Sequence, residues 1–98
     1  MFGRKPSPDV EDFAISLARD FAKRCPPAEA DRSTAAQVAR AIDDTSGRAV
    51  AFQKENGLGM YGKAKFGTAF KLELKELGYG QDFIDALTHQ LLLKMSAK

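Results

Sequence analysis

The chain has 98 residues, room for one domain and one hydrophobic core, with 44% hydrophobic and 29% charged residues, the ordinary mix of a globular protein. Cys25 is the single cysteine, which excludes an internal disulfide and suits a reducing cytoplasm. The opening MFGRKPSPDV lacks the apolar stretch of a signal peptide, and the run Leu91-Leu92-Leu93 is far too short to span a membrane.

Net charge is +2, and its distribution says more than its value. Residues 1–56 carry nine basic and nine acidic side chains, and residues 81–98 carry two of each. The excess lies in 57–80, where Lys63, Lys65, Lys71 and Lys75 face only Glu73 and Glu76. An excess of two is small beside that of a strongly nucleic-acid-binding domain.

Residues 1–7 read as a tail, because Gly3, Arg4, Lys5 and Pro6 have no periodicity and little to bury. Ser7-Pro8-Asp9 opens the first helix, with serine as a cap, proline tolerated at the first helical position and acids at the positive end of the dipole. Val10, Phe13, Ala14, Leu17, Ala18 and Phe21 recur at spacings of three and four and form one buried stripe. Pro26-Pro27 ends it near Cys25.

The second helix starts near Ser33 or Thr34, where Thr34 and Gln37 have capping-box spacing. Thr45-Ser46-Gly47 looks like a break. The seam Ala35, Val38, Ile42, Thr45, Ala49, Phe52 nevertheless runs straight across it, so one long helix is expected to end at Asn56-Gly57, with a bend at Gly47 as the competing possibility.

A glycine-rich loop, GLGMYGKAKFG from Gly57 to Gly67, is then expected, with Leu58 and Met60 dipping into the core. A third helix from Lys63 to Leu77 turns Phe66, Phe70, Leu74 and Leu77 inward. Gly78 suits the left-handed position after it, with Tyr79 as the accompanying apolar contact. The fourth helix, Gln81 to about Met95, buries Ile84, Leu87, Leu91 and Met95. The pattern predicts an all-α, compact four-helix bundle with a long second helix, in one domain over residues 8–95.

Chemistry is sought first in the glycine segment, which contains a literal G-x-G-x-x-G at Gly57, Gly59 and Gly62. A dinucleotide fold needs a strand before that motif, and Arg48–Asn56 continues a helical register instead; the other elements of a kinase are missing too. A looser phosphate or nucleic-acid site is conceivable, with Lys54, Lys63, Lys65, Lys71 and Lys75 around the glycines and Tyr61 stacking on bases.

Leu77-Gly78-Tyr79 followed by Asp85-Ala86-Leu87 resembles the helix–loop–helix of ubiquitin-associated domains, and is similar to the helical repeats of bacterial RecX-type recombination regulators. The resemblance implies a protein-binding surface that includes Gly78 and Tyr79. On the fourth helix, Leu93 faces away from the inward stripe, one turn from His89, with Leu92 adjacent and Phe83 at the flank. These residues form a candidate patch for a partner helix or a second copy of the chain.

Catalysis has little support. Cys25 and His89 lack an orienting third group, and Asp82 with Asp85 and Glu73 with Glu76 are explained as dipole and surface charge, although Glu73 flanks the buried stripe. No metal-ligand spacing or cofactor motif is recognised, so none is expected. The sequence therefore leads to a small cytoplasmic, bacterial, non-catalytic protein-interaction module or homodimer, with nucleic-acid or phosphate binding as the alternative and no membrane partner.

Overall fold

The computed structural model describes residues 9–27 and 35–96. It is an all-α four-helix bundle: α1 (Val10–Arg24), α2 (Ala35–Asn56), α3 (Met60–Leu77) and α4 (Gln81–Ser96). The expected tail over 1–7, and Ser7, Pro8, Ser33 and Thr34, lie outside the described residues.

Asp9 caps α1. Its carboxylate accepts the Asp12 backbone N–H at 3.0 Å, which satisfies one of the donors a helix start leaves open. Glu11 and Asp12 sit in the first turn and Lys23 and Arg24 in the last, so both ends complement the helix dipole. The stripe Val10, Ala14, Leu17, Ala18, Phe21 is buried as its spacing requires.

Helix α2 is continuous through Gly47. Thr45, Ser46 and Ala49 are buried on its inner face while Gly47 is exposed, and a Cβ added there meets nothing within 4 Å. The inward seam therefore carries the helix without interruption past a residue whose conformational cost is about 1 kcal/mol.

The glycine-rich loop is shorter than the sequence suggests. Gly57 adopts a left-handed φ of 57°, its N–H donates to the Gln53 carbonyl at 2.8 Å, and the Gln53 side-chain amide donates to the Leu58 carbonyl at 3.3 Å. Gly59 already caps α3, accepting the Lys63 N–H at 3.0 Å. The connector is thus Gly57-Leu58-Gly59, and α3 begins at Met60 rather than Lys63, with Gly62 and Gly67 inside the helix. Nothing after Gly59 interrupts a helix strongly enough to delay it. Leu58 packs against the core as expected, whereas Met60 is 87% exposed.

Gly78 takes the left-handed position at φ 107°, its N–H donating to Leu74 and Lys75, while the Tyr79 N–H donates to Leu74 at 3.1 Å. The helices close a ring in which α1 packs on α3, α3 on α4, α4 on α2 and α2 on α1. Phe13 meets Phe66, and Arg19 meets Glu73, so α1 and α3 run parallel. Phe13 stacks on Phe52 with centroids 3.9 Å apart, and Asp20 pairs with Arg48 and Asp44 with Arg24, so α1 and α2 are antiparallel.

Two aromatic clusters fill the ring. One joins Phe13, Phe52, Phe66 and Phe70. The other joins Phe21, Tyr79 and Phe83 beside the α3–α4 turn. Among the described residues, no helix is long and apolar enough to cross a membrane.

Candidate functional site

The lysines singled out by sequence do not share a face. Lys63 reaches the Ser96 hydroxyl at 3.4 Å, at the end of α4, and Lys71 pairs with Asp85 at 3.6 Å, near the start of α4. Lys65 lies over the Tyr61 ring, 5.7 Å from its centroid, on the side of α3 that borders α1. Lys75 is exposed in the last turn of α3, and Lys54 is exposed in the last turn of α2. Twelve residues separate Lys63 from Lys75, about 18 Å along a helix. Gly57 spends its N–H on the Gln53 carbonyl, Gly59 is the cap of α3 and Gly62 lies in its first turn, so the motif spans a helix start rather than a free loop.

The last-helix candidates divide. Tyr79 is buried, and its hydroxyl donates to the Cys25 carbonyl. Burial, and secondarily the neighbouring Cys25 thiol, hold that phenol well above its ordinary titration range. The Phe83 ring stacks on Tyr79 at 5.2 Å and also meets Phe21. Leu92 packs on the core, close to where a Cβ on Gly67 would lie. Tyr79, Phe83 and Leu92 are therefore used for folding, and the protein-binding role that the LGY resemblance implies for Tyr79 has no exposed ring to act through. His89 and Leu93 remain exposed on α4.

Cys25 is buried at the end of α1. Glu73 is partly buried, its side chain 14% exposed, and it accepts from the Arg19 guanidinium at 2.9 Å, which ties α1 to α3. Among the described residues no three His, Cys, Asp or Glu side chains gather as a metal site.

A different face carries two of the exposed large apolar residues, Met60 and Leu93 lying elsewhere. Tyr61, 79% exposed, and Leu72, 59% exposed, sit on the outside of α3 at spacings that Lys65 and Thr68 continue: 61, 65, 68, 72. Together with Ile15 of α1 they line an open groove of about 520 Å³ between α1 and α3. Ala64 and Ala69 line it too, together with three carboxylates, Glu11, Glu73 and Glu76. The stripe lies behind the buried one, Phe66, Phe70 and Leu74, so α3 presents apolar side chains in two directions.

Sequence reasoning placed Tyr61 beside the loop and passed over Leu72. The signal was available as a second run of three-and-four spacing on one helix, but one tyrosine, one leucine and a threonine are a faint stripe next to three phenylalanine and leucine positions. No protein-family model matches the chain, and no curated protein or solved structure is significantly similar to it.

Proposed function

We propose that this chain is a non-catalytic protein-interaction module whose contact face is the groove between α1 and α3. One observation carries the reading. Among the described residues Tyr61 is the single aromatic that the core does not absorb, and it shares its helix face with the exposed Leu72. Isolated exposed apolar residues are common, but an aromatic and a leucine on one face, three turns apart and bordering a concave groove, match the way protein contacts anchor. The single buried thiol of Cys25 fits work in the cytoplasm.

The test is site-specific photo-crosslinking in cells that make the protein, with the reactive residue at position 61 or 68 and a control at position 90 on α4. Adducts to polypeptide at 61 and 68 but not at 90 support the reading. Adducts at 90 alone, or to nucleic acid at 61 and 68, overturn it.

A further inference from the structure

Resting on that reading, we infer that the occupant of the α1–α3 groove is a basic amphipathic helix of a partner protein, with a lysine or arginine at each end and apolar side chains between. The argument is charge complementarity, taken with the order of groups along the groove. Three carboxylates line it, Glu11, Glu73 and Glu76, against the single ammonium of Lys65. Glu73 is already taken by Arg19. Glu11 and Glu76 are exposed and, among the described residues, neither has an ion-pair partner. Asp9 adds a carboxylate within reach of the Lys65 charge: its carboxyl is held below the ordinary range first by the Asp12 backbone N–H and in smaller part by Lys65. The open charge of this face is therefore negative, which repels a phosphate backbone and draws a cationic segment.

The spacing sets the pattern expected of the partner. The Phe13–Phe66 and Arg19–Glu73 contacts place α1 parallel to α3 with an offset of 53 to 54 positions. Glu11 then stands level with Ala64 and Lys65, and Ile15 level with Thr68 and Ala69. Along the groove the order is a carboxylate at Glu11, apolar side chains at Ile15 and Leu72, and a second carboxylate at Glu76. The two free carboxylates are thus about three helical turns, or about 17 Å, apart along the groove. A docked helix meets that order with cations at i and i+11 and apolar residues at i+4 and i+7, which fall on one of its faces. Tyr61 extends the apolar lining about one turn beyond the level of Glu11.

The experiment is crosslinking in cells from position 68, with the adducted segment sequenced by mass spectrometry and the adduct yield compared among variants of the full chain. The segment is expected to carry an excess of lysine and arginine around an apolar stripe of three-and-four spacing. Glu11→Lys combined with Glu76→Lys should lower the yield about tenfold, since two attractive contacts become repulsive. Lys65→Glu should raise it about two- to threefold, and Glu55→Lys, an exposed reversal on α2, should leave it unchanged.

A compensating change decides the matter. Replacing the basic residues of the adducted segment by glutamate should restore the adduct with the doubly reversed chain, which no folding defect can imitate. An acidic segment, a segment of this same chain, a yield that ignores the double reversal, or failure of the compensating change overturns the basic helix as occupant while leaving the groove as a protein contact. Absence of any polypeptide adduct at position 68 overturns both this inference and the reading beneath it.

Discussion

The two tyrosines of this chain look alike in sequence and end in opposite places. Tyr79 follows a helix-ending glycine; Tyr61 lies just after a glycine that starts one. Tyr79 is drawn in because the left-handed turn at Gly78 points the next residue back at α1, where its hydroxyl finds the Cys25 carbonyl and its ring finds Phe21 and Phe83. Tyr61 lies in the first turn of α3, on the opposite side of the helix from the core stripe, with Lys65 over its ring. A polar tip can be buried where a carbonyl waits for it, and elsewhere it keeps an aromatic ring at the surface. Tyr79 and Phe83 are thus built into the fold, and the α3 outer face is the one proposed for contact.

The largest effect expected from probing this contrast is at Phe21, the ring that both Tyr79 and Phe83 touch. Phe21→Ala should cost about 3–5 kcal/mol in urea unfolding, as removal of a fully buried phenylalanine does. A loss under about 1 kcal/mol would mean that the cluster beside the α3–α4 turn is not part of the core.

Tyr79→Phe should cost about 1–3 kcal/mol by leaving the Cys25 carbonyl without its donor. The same variant sharpens the pH dependence. The folded phenol titrates above its unfolded value near 10, so the folded state holds the proton longer. Its contribution is fully present below about pH 10 and is lost as pH rises from there through the folded value. Urea midpoints measured upward from about pH 9 should therefore fall more steeply for the wild type than for Tyr79→Phe. Parallel curves would remove burial of the hydroxyl from the account.

A smaller gain is expected at Gly47. Gly47→Ala meets open space on an exposed helical position and should raise stability by about 0.5–1 kcal/mol. A loss instead would show that α2 bends there. Smallest of all, Tyr61→Ala should change stability by about 0.5 kcal/mol or less, the usual effect of an exposed substitution. A loss approaching that of Phe21→Ala would place Tyr61 in the core and end the contrast.

The bundle itself was legible in sequence because its helices carry strong stripes and clear punctuation. Val10 to Phe21 and Ile84 to Met95 are buried as their spacing demands, and Gly78 caps α3 as its position demands. The seam of α2 was legible across Gly47 for the same reason. The start of α3 was not, because a run of glycines reads as a loop whether or not one of them already serves as a cap, and only Gly57 takes the left-handed backbone there. The destination of Phe83 was hidden as well. Its burial depends on Phe21 and Tyr79 arriving from two other places in the chain, which periodicity along α4 does not report. The groove escaped notice because it is shared between two helices, and a property of their pairing is written in neither stripe alone.

Most direct for the claim that the α3 outer face is the contact surface is photo-crosslinking in cells from positions 61 and 68, with position 90 on α4 as the control. The account predicts polypeptide adducts at 61 and 68 and none at 90. Adducts at 90 alone, or to nucleic acid at 61 and 68, would contradict it.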